Sequence, residues 1–239
     1  MLRINLLSGP RNVSTALMYS FAQRSDTQVW DEPLYAHYLR VTDADHPGRD
    51  ETLASMDSDG ERVVREVLLG AAGHPVLFFK QMAHHHIGLD LGFLRDLTNI
   101  LLIRHPAEVI NSFSQVIPHP TMTDIGIARQ AGLYDLLRHM GQQPLVLDGN
   151  ELLKAPREML TALCAGLGIP FDPAMLAWPP GPRPEDGCWA PYWYASVHRS
   201  TGFAPYRERP HTVAPQHQAL LDAALPYYTR LSAVALRAR

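Results

Sequence analysis

The stretch LRINLLSGPRNVSTALMYSF, residues 2–21, decides the fold. An apolar run from Leu2 to Leu7 stops at Ser8-Gly9-Pro10, and a helical pattern begins near Ser14. Strand, tight loop and helix in that order leave backbone N–H groups and the positive end of a helix dipole facing the loop. That arrangement favours anions whatever the residues. The loop is not the Walker form G-x-x-x-x-G-K-[ST]. Ser14 stands where the second Gly belongs, and no Lys follows it. Arg11 adds a charged fork, and Asn12, Ser14 and Thr15 add donors beside Gly9, Pro10 and Val13. Ser14 also reads as a plain helix cap, a role that does not call for Gly-Pro-Arg-Asn ahead of it.

Outward from this loop, short apolar runs recur at Ile4 to Leu7, Gln28 to Trp30, Val76 to Phe79, Ile100 to Ile103 and Leu145 to Leu147. Each is too short for a helix, and most precede a helix-like pattern. From Pro106 to Ile117 the apolar residues Val109, Ile110, Phe113, Val116 and Ile117 fall on one helix face. Alternating strands and helices predict a three-layer α/β domain, its central parallel sheet flanked by helices, with chemistry at the carboxyl ends of the strands. Residues 42–60 read as a polar surface loop or lid, and 178–215, rich in Pro and aromatics, as an irregular cover. Those aromatics serve equally well as a cap on the sheet end. A final periodic stretch runs from Gln216 to Leu236, kinked or broken at Pro226.

With 239 residues and 46% hydrophobic content, the chain reads as one domain, 1–239. A formal charge of −3 gives no general attraction to nucleic acid or anionic membrane. Lys80 and Lys154 are the only lysines, and Cys164 and Cys188 are too few for a disulfide framework. No signal-peptide pattern or membrane-length apolar run is seen, so the expectation is a cytoplasmic protein without a membrane partner. Nothing in the sequence opposes a homo-oligomer.

A second anion-binding pattern is NILLIRHPAEVINSF: Arg104 follows a buried-type strand, and Ser112 lies eight residues on. Two separated phosphate groups would suit the two loops. Together these residues resemble the sulfotransferase family that uses 3′-phosphoadenosine 5′-phosphosulfate (PAPS), on a P-loop NTPase-like fold. Pro10-Arg11-Asn12-Val13-Ser14-Thr15-Ala16-Leu17 is similar to that family's P-K-S-G-T-T-W-L, and Arg104 with Ser112 to its second motif. The stretch VLDGNELLKAPREMLTALCAGLGIPFDP (146–173) is similar to its "YEDLL…LGLPFDP" pattern. The resemblance implies that Gly9 to Thr15 hold the 5′-phosphosulfate and that Arg104 and Ser112 hold the 3′-phosphate. It matches a Gly-containing basic loop to Arg199, Ser200, Thr201 and Gly202. Arg11 replaces a Lys, Val13 replaces a Gly, and the last loop lacks the "RKG" order. These departures leave open an altered donor site or a lost activity.

Transfer to a hydroxyl needs a base and cationic donors at the leaving group. The run VWDEPLYAHYL puts Asp31 and Glu32 at the sheet's carboxyl edge before a helix starting at Pro33. By resemblance, Glu32 is the first choice of base; its other reading is an acid favoured by a helix N-terminus. FFKQMAHHHIG supplies Lys80 with His84 or His85 as the alternative base. Adjacent histidines do not share a helix face and no partner motif is evident, so no metal is expected. The implied function is sulfuryl transfer from PAPS, the co-substrate, to a hydroxyl or amine of a small metabolite whose pocket is built from residues 33–60 and 178–206. The rivals are an ATP-using P-loop phosphotransferase, for which Asp148 is the nearest magnesium ligand, and a catalytically lapsed nucleotide-binding module. A pyridoxal phosphate enzyme is disfavoured, because neither lysine has a Schiff-base context.

Overall fold

The computed structural model describes residues 1–115 and 117–238. Strands β1 (Leu2–Ser8), β2 (Thr27–Asp31), β3 (Val76–Met82), β4 (Thr98–Ile103) and β5 (Leu145–Asp148) form one sheet in the order β2-β3-β1-β4-β5. Every apolar run expected to be a strand is one. The β2–β3 pair is parallel and sets Asp31 beside Lys80; the β4–β5 pair is parallel and sets Ile103 beside Asp148. Partners in a ladder point to the same face, so Asp31 and Lys80 meet at the carboxyl edge. The first six residues of β3 are buried, as expected of a strand covered on both faces.

The helices are α1 (Ser14–Phe21), α2 (Tyr35–Thr42), α3 (Arg49–Ser55), α4 (Gly60–Val63), α5 (Pro106–Phe113), α6 (Met122–Ile125), α7 (Ile127–His139), α8 (Gly149–Lys154), α9 (Pro156–Leu167), α10 (Ala190–Trp193) and α11 (Gln218–Ala233). The whole is an α/β fold: a parallel sheet flanked by helices. Among the described residues no helix is long and apolar enough to cross a membrane.

The chain divides into two compact units. The first holds Met1–Leu6, Ser14–Asn99 and Asp172–Phe203. Its core includes Phe21 stacked on Phe78 and an aromatic cluster of Tyr35, Leu39, Trp189, Ala190 and Tyr194. The second holds Leu7–Val13, Ile100–Phe171 and Ala204–Arg239. In it, α11 is tied down by Tyr228, whose hydroxyl donates to Asp148 at 2.7 Å, and by Arg230, paired with Asp135.

Several boundaries differ from expectation. The helix read to Ile117 ends at Phe113. Pro118 disfavours helical backbone at the residue before it; Val116 lies outside the described residues. Residues 42–60 are not all loop, because they contain α3. Asp50 and Glu51 suit the first turn of α3, and Leu53 and Met56 pack on the aromatic cluster. Helix α2 starts at Tyr35 rather than Pro33, after a turn in which Tyr35 N donates to Glu32 O. Helix α11 runs unbroken through Pro226.

Candidate active site

In the second unit, the turn after β1 is held from several sides. Arg11 has a left-handed backbone, φ 54°, a conformation that costs a residue with a Cβ about 1–2 kcal/mol. Arg104 Nη1 donates to the Arg11 carbonyl at 2.7 Å, and Arg11 Nε donates to Ser112 Oγ at 3.0 Å. Asn12 Nδ2 donates to Leu102 O, while its Oδ1 accepts from Val13 N. A Cβ on Gly9 would lie 3.2 Å from Ile125 O, and one on Gly149 would lie 2.4 Å from Asn12 Oδ1. Glycine at both positions lets the turn seat closely. The left-handed position falls on Arg11, so a Val at 13 meets no positive-φ requirement.

Arg104 is itself oriented by Glu108, one helical turn on, through bonds of 3.0 and 2.7 Å. Burial would raise the Glu108 carboxyl, but hydrogen bonds from Asn150 and Arg104 hold it below the ordinary range. Burial, and then the nearby Arg104 charge, push the Arg11 guanidinium down. Two guanidiniums and a hydroxyl thus converge where a bound anion would relieve the repulsion between like charges. This donor set fits a phosphate or phosphosulfate group.

In the first unit, the carboxyl edge of β2 and β3 carries a buried polar cluster. Lys80 Nζ donates to Asp31 Oδ1 at 2.8 Å, to Tyr194 Oη at 2.7 Å and to Glu32 Oε1. All three ammonium protons are therefore used. Asp31 Oδ2 also accepts from Tyr194 Oη at 2.7 Å and from Gly187 N at 3.2 Å. Trp189 Nε1 donates to the same tyrosine oxygen. Burial works against the Lys80 ammonium, yet Asp31 and Glu32 raise its pKa well above the ordinary value. One cation faces two carboxylates, so the ionised cluster carries a net charge of −1. The Glu32 pKa rises through burial and the Asp31 charge, against the opposing pull of Lys80. Its backbone is left-handed, φ 47°. Among the described residues, the non-glycine positions with positive φ are Arg11, Glu32 and Asp43, and the first two are site candidates.

The histidines do not act as one group. His85 Nδ1 lies 3.8 Å from Glu32 Oε2, while its ring stacks on Tyr35 at 5.0 Å and on Tyr38 at 4.9 Å. Burial, then His84 and His86, hold His85 well below the ordinary histidine range, so it is neutral and its contact with Glu32 is no ion pair. The His84 ring meets Tyr38 edge-on, and His86 stacks on Phe93. Elsewhere in this unit Trp178 Nε1 donates to Ser200 Oγ, and Trp178 N donates to Thr201 O. A Cβ on Gly202 would come within 2.8 Å of Leu176 O. Ser200, Thr201 and Gly202 therefore form a latch on the chain around Trp178, with Arg199 at the end of the preceding turn.

The family profile described as "Sulfotransferase domain" matches residues 2–235. The chain belongs to the sulfotransferase family. Two Arabidopsis thaliana proteins named branched-chain-amino-acid aminotransferase-like protein 1 and 2 are 43% and 40% identical to it over 229 residues. Those matches cover 95% of this chain but 41% of each relative, so the chain spans about two fifths of their length. Among solved structures, the sulfotransferase domain from the curacin biosynthetic pathway aligns with a TM-score of 0.55 at 18% identity, covering 95% of this chain and 98% of that one. A sulfotransferase from Alicyclobacillus acidocaldarius aligns with a TM-score of 0.54 at 14% identity, covering 99% and 96%. At such identities the likeness is one of fold.

For this sulfotransferase-family chain, sequence reasoning left Tyr194, Glu108 and Asn150 outside the site. Glu108 was legible as an acid four residues after Arg104. Tyr194 carried no such signal, because pairing it with Lys80 needs the path of the whole cover segment.

Proposed function

We propose that this chain transfers a sulfuryl group from PAPS to a hydroxyl or amine of a small molecule. The observation that carries the reading is the meeting of Arg104 with the Arg11 carbonyl across 93 residues of sequence, with Ser112 on the Arg11 side chain. In this reading Gly9 to Thr15 hold the phosphosulfate end of the donor, and Arg104 and Ser112 hold the 3′-phosphate. Of the later turn, the Ser200 hydroxyl is taken up by Trp178 while Thr201 gives Trp178 its backbone carbonyl, so in this reading the Arg199 and Thr201 side chains serve the donor. PAPS supplies an activated sulfuryl group whose leaving atom is a phosphate oxygen. The acceptor oxygen forms a bond to sulfur as the bond from sulfur to that phosphate oxygen breaks. Arg11 offsets the charge gained by the leaving phosphate, which a guanidinium does without giving up a proton. The acceptor proton goes to Glu32, taking the Lys80 cluster from −1 to neutral. His85 is the weaker base, since its environment already resists protonation.

The aminotransferase reaction in the Arabidopsis names is no part of this reading. A Schiff-base lysine must lose its proton, whereas Lys80 is held charged by two carboxylates and Lys154 is paired with Glu151. The deciding experiment is calorimetric titration with 3′-phosphoadenosine 5′-phosphate beside ATP and ADP with magnesium. Micromolar binding of the 3′-phosphorylated nucleotide, with ATP much weaker, is expected. Preferred ATP binding would return the phosphotransferase reading, and silence from all three nucleotides would leave a lapsed cradle.

A further inference from the structure

Strand β2 is an edge of the sheet: β3 pairs with it on one side, and among the described residues no strand lies on the other. In a parallel ladder, alternate residues of a strand turn their peptide groups to the same neighbour. Glu32 N donates to Lys80 O and Asp26 O accepts from Val76 N, so the even-numbered residues face β3. The peptide groups of Thr27, Val29 and Asp31 therefore face the free edge. Thr27 N donates to Arg24 O, but the N–H and C=O of Val29 and Asp31 find no partner among the described residues. Val29 is only 8% exposed, and unpartnered peptide groups are rare at such burial.

Native sheets blunt their edges with lysine, proline, bulges or a covering segment. The β2 sequence, TQVWD, has neither lysine nor proline, and it pairs with β3 without a break in register. In place of a cover, a cavity of about 560 Å³ runs along the strand and is lined by every residue from Thr27 to Asp31. Met56, Val63, Val67 and Pro184 wall the same space, so the edge is recessed. A second copy of β2, recessed in the same way, cannot be brought to the strand spacing of about 4.8 Å. A separate extended segment can. The lining also selects its charge. Asp31, Asp57 and Glu185 line the cavity, with His74 as the one basic side chain among the described residues. Arg62 matches Asp57, and Lys80 is divided between Asp31 and Glu32, which leaves the lining acidic.

We infer that the free edge of β2 takes up an extended peptide segment of a partner protein, bonded through its backbone to Val29 and Asp31 and carrying lysine or arginine among apolar side chains. This is strand addition, in which the main chain supplies affinity and the flanking pockets supply choice. It requires no nucleotide, so it stands or falls apart from sulfuryl transfer.

The test is amide hydrogen exchange of the full chain, followed by NMR, alone and with the end-blocked peptide VKVKV. Alone, the Val29 and Asp31 amides should exchange roughly tenfold faster or more than those of Gln28 and Trp30, which β3 holds. With the peptide they should slow by roughly tenfold or more. The counterpart VEVEV should bind roughly tenfold more weakly, and so should VKVKV carrying N-methylated amides, which cannot donate to a strand edge. Protected Val29 and Asp31 amides in the chain alone, or failure of VKVKV to bind, would overturn the inference. So would equal binding of VEVEV or of the methylated peptide. Protection of the same amides that grows with protein concentration alone would also overturn it, because the occupant would then be a second copy.

Discussion

Asp31 and Glu32 follow one another in the chain and share the Lys80 ammonium, but their surroundings differ: Asp31 also receives the Tyr194 hydroxyl and the Gly187 N–H. Donors aimed at a carboxylate favour its charged form. The proton that would neutralise this cluster therefore belongs on Glu32, whose pKa burial and Asp31 raise. In the proposed mechanism Glu32 is therefore the acid that takes up the acceptor proton, while Asp31 stays bound by Tyr194 and Gly187.

Glu32→Gln should lower kcat by roughly 10²- to 10⁴-fold, the usual worth of a general base. Affinity for 3′-phosphoadenosine 5′-phosphate should stay within about twofold, since Glu32 has no part in the proposed donor site. In the wild type, activity falls as pH drops through the Glu32 pKa, so the acidic limb of kcat/KM lies above the ordinary carboxylate range. That limb should be missing from the variant. Undiminished turnover would move the base to His85.

Lys80→Met strips the cation from two buried carboxylates and should destabilise the fold by about 3–5 kcal/mol. The pH dependence gives a sharper check. In the variant the carboxylates keep their protons to higher pH when folded than when unfolded, so the folded state binds more protons. Stability must then fall as pH rises from the ordinary carboxylate range towards neutrality. Urea unfolding of Lys80→Met at pH 5 and pH 8 measures this, and equal stabilities would show that the cluster is not charged as described.

Arg104→Ala removes a charged donor from the proposed phosphate site and the bond that fixes the Arg11 carbonyl. Binding of 3′-phosphoadenosine 5′-phosphate should weaken by roughly 10- to 100-fold, the worth of a hydrogen bond to a charged group. Ser112→Ala should cost less, because a neutral hydroxyl is lost. Calorimetry that finds Arg104→Ala as tight as wild type would remove Arg104 from the donor site.

Arg11 separates stability from binding. Glycine adopts left-handed backbone without the Cβ penalty, so Arg11→Gly should be more stable than Arg11→Ala by about 1 kcal/mol while both lose nucleotide affinity. Equal denaturation midpoints for the two variants would mean that the turn relaxes once the guanidinium is gone.

The strands and their order of chemistry were legible because short apolar runs bounded by Gly, Pro and charged residues have few other readings. Arg104 and Ser112 could be paired with the first loop because strand ends in a parallel sheet share one edge. The hidden parts are those decided by tertiary contact. Helix α3 lacks an apolar stripe and exists because Leu53 and Met56 find the aromatic cluster. Ser200 and Thr201 read as phosphate ligands; that the Ser200 hydroxyl and the Thr201 carbonyl also accept from Trp178 is decided by the path of the cover segment. The left-handed backbone at Arg11 and Glu32 leaves no mark in the sequence, since neither residue is one that favours it.

Burial of Lys80 also gives the chain an internal gauge. Of its two lysines, Lys154 is exposed on α8 and Lys80 is 1% exposed. An amine-acylating reagent therefore finds one lysine side chain on the folded protein. A second acylated lysine, read by peptide mass, would time the opening of the Asp31–Glu32–Tyr194 cluster without any engineered probe.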